Sequence, residues 1–133
     1  MAKEDYLIRL SMLENEAGKI EENIGLINQQ IAELEVLKLS LEKLGESKEK
    51  EILAPVGKGI FLKSEIKDRE LFVNIGCGIV IRKKPKEAAE VVQEQIKQLE
   101  EIKRSLMDSI GEIKMQFEGL VEEARREEEK KRK

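Results

Sequence analysis

The sequence has no histidine, no tryptophan, one cysteine and two prolines, and aromatic residues make up 3% of its 133 positions. Without histidine, a histidine-based catalytic triad, a zinc–histidine site and an imidazole proton shuttle are excluded, and Cys77 alone cannot build a Cys-rich metal cluster. That cysteine has no partner for an internal disulfide, which agrees with a reducing compartment. Gly57-Lys58-Gly59 lacks the upstream glycine and the following Ser or Thr of a phosphate loop. Gly76-Cys77-Gly78 lacks the third glycine of a dinucleotide site, so no cofactor and no enzymatic activity are expected. No apolar run approaches the roughly 18 residues that span a bilayer. Met1 to Asp5 leads straight into a polar helical pattern rather than a signal peptide, so the expectation is a cytoplasmic protein with no membrane partner. Basic and acidic residues number 25 and 28 and are intermixed, a net −3 that offers no field for nucleic acid. The basic clusters Arg82-Lys83-Lys84-Pro85-Lys86 and Lys130 to Lys133 lie beside Glu87 and Glu127 to Glu129 and read as solvated surface.

What is present is charge, at 40% of residues, laid over apolar positions with helical periodicity. In the first third, Leu10, Leu13, Ala17, Ile20, Ile24, Ile27, Ile31 and Leu34, then Leu37, Leu41 and Leu44, recur three and four apart. Gly45 follows the last of these with Lys43 in the final turn, so the first helix is expected to stop there. The last third opens at Pro85, whose fixed φ suits a first helical position, and runs through Ile96, Leu99, Leu106, Ile110, Ile113, Phe117, Leu120 and Ala124. Lys103 fills the one gap in that second seam, and Lys38 also falls on a seam-type position. Each helix is about 40 residues, roughly 60 Å at 1.5 Å per residue, and the two fold back as an antiparallel coiled coil. Gly18, Gly25, Gly111 and Gly119 lie off the seams, where the choice is between hinges and simple tolerance. After Ala124 no apolar anchor remains, and that run is expected to fray.

Between the helices the period shortens. Ile52 to Val56, Ile60 to Ile66, Leu71 to Ile75 and Ile79 to Arg82 are β-prone runs. They are separated by Gly-Lys-Gly, by the polar loop Lys67 to Glu70 and by Gly-Cys-Gly, a pattern that predicts two β-hairpins. Ile60, Leu62 and Ile66 share one parity, and so do Leu71, Val73 and Ile75, while Phe61, Phe72 and Val80 add apolar surface opposite. Two lone hairpins are marginal in water and this chain has nothing left to cover both faces, so neighbouring chains must. The domain plan is therefore a helix over 1–45, two hairpins over 46–84 for assembly, and a helix with a charged tail over 85–133.

The run Ile52 to Leu62, Ile-Leu-Ala-Pro-Val-Gly-Lys-Gly-Ile-Phe-Leu, resembles the start of the hairpin region in alpha-class prefoldin subunits. Leu71 to Ile81, Leu-Phe-Val-Asn-Ile-Gly-Cys-Gly-Ile-Val-Ile, followed by Glu87-Ala88, resembles that family's second hairpin and helix start. Two hairpins rather than one resemble the alpha class, and Cys77 departs from the smaller residue more usual in that turn. The resemblance implies an α+β fold, a long antiparallel two-helix coiled coil joined by two β-hairpins that assemble into an inter-subunit β-barrel. It implies a hexamer of two alpha and four beta prefoldin subunits that binds unfolded proteins without ATP and passes them to a group II chaperonin. Assembly would then rest on Ile60, Phe61, Leu62, Ile66, Leu71, Phe72, Val73, Ile75, Ile79, Val80 and Ile81.

Client binding would rest on the helix tips, with Tyr6, Leu7, Leu10, Met12 and Leu13 on one helix and Phe117, Leu120 and Val121 on the other. A chaperone of this kind needs apolar groups that water can reach, which favours Tyr6, Leu7, Met12, Phe117 and Val121. Met12 and Met115 add adaptable contacts. Leu10, Leu13, Phe117 and Leu120 also satisfy seam packing. A coiled-coil structural adaptor, or a prefoldin paralogue that forms homo-oligomers or filaments, shares these features. A nucleic-acid-associated coiled coil is a third reading, recognisable by a salt-sensitive mobility shift.

Overall fold

The structure, a computed structural model, describes residues 2–132. In chain order it contains α1 (Lys3–Glu46), β1 (Glu51–Gly57), β2 (Ile60–Glu65), β3 (Leu71–Gly76), β4 (Ile79–Lys83) and α2 (Pro85–Arg132). The chain divides into two compact units, one of Met1–Ile31 with Gln98–Lys133 and one of Ala32–Lys97.

In the first unit the N-terminal part of α1 lies against the C-terminal part of α2, joined by the two seams. Leu10, Leu13, Ala17, Ile20, Ile24, Ile27 and Ile31 are half-buried, as are Leu99, Leu106, Ile110, Phe117, Leu120 and Ala124, while Ile113 is buried. The 3,4 spacing keeps one stripe of each helix on its partner and leaves the charged remainder in water. At each of the four off-seam glycines an added Cβ would meet nothing within 4 Å. Fraying after Ala124 is not observed, because α2 continues to Arg132. Glu, Arg and Lys are good helix formers, Arg126 pairs with Glu122 at 3.7 Å, and Lys130, Lys131 and Arg132 complement the negative helix end.

In the second unit the seam passes through Leu34, Lys38 and Leu41 rather than Leu37. Lys38 is half-buried there, and its ammonium donates to Gln93 Oε1 on α2 at 2.7 Å, so the charge is met by a partner inside the seam. Leu37, 45% exposed, instead lines a recess of about 400 Å³ with Leu71 and Val73 of β3 and Val91 and Val92 of α2. Ala88, Ala89, Val92 and Ile96 are all buried and form the core of this unit.

The helix α1 also runs past Gly45, to Glu46. Gly45 keeps a helical backbone, and a Cβ on it would meet the Pro85 Cβ at 3.4 Å, so its small size serves the approach of α2. The stop comes from Arg69, whose two terminal nitrogens donate to the carbonyls of Leu44 at 2.6 Å and Glu49 at 2.7 Å. On Leu44 the cation satisfies an orphan acceptor in the last turn of α1 and complements the helix dipole, while its second bond holds the carbonyl of Glu49 in the linker that follows. Arg69→Ala is therefore expected to destabilise the protomer by about 2 kcal/mol, with Arg69→Lys recovering only part of it. Urea unfolding followed by circular dichroism measures this; an unchanged midpoint in Arg69→Ala would mean that water serves those carbonyls equally well.

The strands form two separate antiparallel sheets, β1 with β2 and β3 with β4. Each hairpin turns the same way. Lys58 and Gly59 have φ of 47° and 81°, and Cys77 and Gly78 have φ of 54° and 74°, the positive pair that a tight two-residue hairpin turn demands. A register shift precedes each turn, at Pro55/Gly57 and at Asn74/Gly76. Pairing places Val73 opposite Ile81 on one face of the second hairpin and Phe72 opposite Arg82 on the other. The Arg82 guanidinium lies 5.7 Å from the Phe72 ring centre, a cation–π contact.

Candidate functional site

Two surfaces carry the residues that the sequence singles out. The first is at the helix ends. Tyr6, Leu7 and Leu10 of α1 and Val121 and Ala124 of α2 line a cleft of about 390 Å³, edged by Lys3, Arg125, Glu127 and Glu128. Leu7, Met12 and Val121 are exposed, while Leu10, Leu13, Phe117 and Leu120 are half-buried in the seam. Met12, Leu13, Phe117 and Leu120 stand outside the cleft lining.

Tyr6 departs from the expectation of a water-accessible tip residue, since only 5% of it is exposed. The signal was in the spacing: Tyr6 lies four residues before Leu10 and seven before Leu13, so the α1 seam extends one layer further than its aliphatic members. On α2 the same rule takes Ala124 three residues on to Glu127, which is half-buried. Tyr6 and Glu127 line the same cleft. Burial first, then the negative charge of Glu127 and hydrogen bonding toward it, and lastly the charge of Glu123 hold the phenol above its usual pKa, with Arg9 pulling the other way. The phenol thus stays protonated, and able to donate, throughout the neutral range. Beyond it Lys3 and Glu128 approach to 3.6 Å, an exposed pair.

The second surface is on the hairpins. Ile60, Phe61, Leu62, Phe72, Ile75, Ile79 and Val80 are exposed, whereas Ile66, Leu71, Val73 and Ile81 are half-buried. The sequence reading missed Leu53 and Val56 of β1, which are as exposed as the residues it named. Strand parity points to Leu53, which lies on the same face of its hairpin as Phe61, given the pairing of Leu53 with Lys63 and of Pro55 with Phe61, whereas Val56 falls at the register shift before the turn. So much apolar surface on two-stranded sheets marks an interaction surface.

The prefoldin subunit family model matches residues 13–130. No curated protein matches the chain. Among solved structures, the cryo-EM structure of filamentous PFD from Methanocaldococcus jannaschii is similar at 25% identity with a TM-score of 0.50, over 90% of this chain and 95% of that one.

Proposed function

This chain belongs to the prefoldin family, and on that premise we propose that it is an alpha-type subunit of an ATP-independent chaperone that holds unfolded polypeptides at its helix ends. The family is one of non-enzymatic chaperones and adaptors whose members assemble with other prefoldin subunits. The observation that carries the reading is exposed apolar surface gathered in two places, beside single exposed side chains such as Leu26 and Met107 along the helices. One is the pair of hairpins, suited to assembly, and the other is the helix-end cleft with Leu7 and Val121 open to water. An unfolded chain gains burial of its own apolar segments there without any nucleotide. Two hairpins in one chain support the alpha type, with four beta subunits as partners, a group II chaperonin as the recipient of clients and the cytoplasm as the place of work.

The test is suppression of light scattering when a denatured model protein is diluted into buffer with this chain, alone and with a beta-type prefoldin. Strong suppression without ATP is expected. Making Leu7, Met12, Phe117 and Val121 polar together should remove most of it while the assembled mass survives. An intact oligomer that suppresses nothing would favour a structural adaptor. A homo-oligomeric or filamentous arrangement is the second reading of assembly, supported by the similarity to a filamentous PFD. Electron microscopy of this chain without a beta partner separates it from the hexamer.

A further inference from the structure

The two hairpins are held in different ways. In the second, Leu71 and Val73 of β3 and Ile81 and Lys83 of β4 are half-buried, and Leu71 and Val73 line the recess that Leu37, Val91 and Val92 of the helices complete. Packing seats that hairpin. In the first, every residue of β1 and β2 except Ala54 and Ser64 is exposed, so its own chain gives it almost no face to rest on. What holds it is its root. The Ile66 amide donates to the Lys50 carbonyl at 2.6 Å and closes the base of the hairpin. Arg69, half-buried in the loop that follows, donates to the Glu49 carbonyl at 2.7 Å, one residue before that base, and to the Leu44 carbonyl in the last turn of α1 at 2.6 Å. The turn that presents Arg69 is itself fixed, because the Glu70 amide donates to Asp68 Oδ1 at 3.1 Å. One planar guanidinium fork thus joins the helix end, the linker and the loop between the hairpins.

We propose that Arg69 is a positioning residue for assembly, fixing the angle at which the first hairpin stands on the end of α1. The inference rests on the assembly part of the reading above. Leu53, Val56, Ile60, Phe61 and Leu62 form the exposed apolar surface of that hairpin, and a rigid root presents it to other prefoldin subunits in a single orientation. Without the fork, residues 47–50, which form no helix or strand, turn about their backbone dihedrals. The hairpin keeps its strand pairing while its apolar surface samples many orientations. Apparent affinity then falls by the fraction of time spent in the competent one. Lysine supplies a point charge rather than a fork, so it restores only part of the restraint.

The test uses the full chain in a C77S background, with spin labels on E33C, an exposed position of α1, and on K58C, the turn position equivalent to the one that Cys77 holds in the second hairpin. Labelled chain is diluted into unlabelled chain so that distances within one copy are read. Assembled mass is followed against concentration by light scattering, with and without a beta-type prefoldin. R69A is expected to broaden the distance distribution about twofold and to raise the concentration needed for assembly about tenfold, while the helical circular dichroism signal persists. R69K should fall between R69A and the parent. I96A, which removes buried volume from α2 and leaves the hairpin root intact, should lower stability without moving either readout. An unchanged distribution in R69A would overturn the proposal, as would a broadened one with unchanged assembly, or an I96A variant that matches R69A in both. Those results leave the assembly reading standing. A parent that stays a single protomer even with the beta-type partner would overturn that reading and the proposal with it.

Discussion

Asp at both Phe61 and Phe72 is expected to reduce the assembled particle to single protomers while leaving the helical circular dichroism signal in place. The two rings are 57% and 67% exposed, on separate hairpins that each consist of two strands. Hairpins of that size are marginal in water, and on the reading proposed above the faces that carry Phe61 and Phe72 are covered by other subunits. Burying one such side chain is worth about 1.5–3 kcal/mol. A carboxylate in its place loses that gain and adds the cost of desolvating a charge without a partner, the larger of the two effects. The two substitutions lie on separate hairpins, so their losses add in each copy of this chain. The helices should be indifferent, because their seams are satisfied within the chain. Mass by light scattering decides the matter, and a double variant that keeps the full mass would show that assembly uses other surfaces.

A second large effect belongs to Ile96. It is 3% exposed, the lowest value in the buried core, and Val92 precedes it by one helical turn. Ile96→Ala is expected to destabilise the protomer by about 3 kcal/mol through lost burial and the cavity left behind. Leu26→Ala removes a similar volume from a residue 59% exposed and should cost less than about 0.5 kcal/mol. Urea unfolding at one fixed protomer concentration makes the comparison, since subunit association otherwise shifts the midpoint. Equal costs at the two positions would mean that the seam of α2 does not carry the stability of this unit.

Much of this was legible from residue spacing. Seams with 3,4 periodicity name their own buried members, and nearly every one from Leu10 to Leu34 and from Ile96 to Ala124 is covered as its position requires. The departures have specific causes. Leu37 is aliphatic but sits beside the stripe, and Lys38 takes the stripe position because Gln93 across the seam receives its ammonium. Tyr6 and Glu127 obey the same spacing, but a phenol and a carboxylate do not announce themselves as seam residues. Arg69 lies in a loop that reads as merely polar, and its role depends on carbonyls 20 and 25 residues away.

The sequence by itself determined the helices, the two hairpins, the bulk of both seams and the absence of histidine chemistry. Each follows from period, turn residues or composition, which act over a few neighbouring positions. Only the tertiary structure decided that Tyr6 is covered while Leu7 is open, that Arg69 ends α1, and that Leu37 faces a hairpin. These depend on which backbone groups and side chains from distant parts of the chain meet in space, and local pattern carries no record of such meetings.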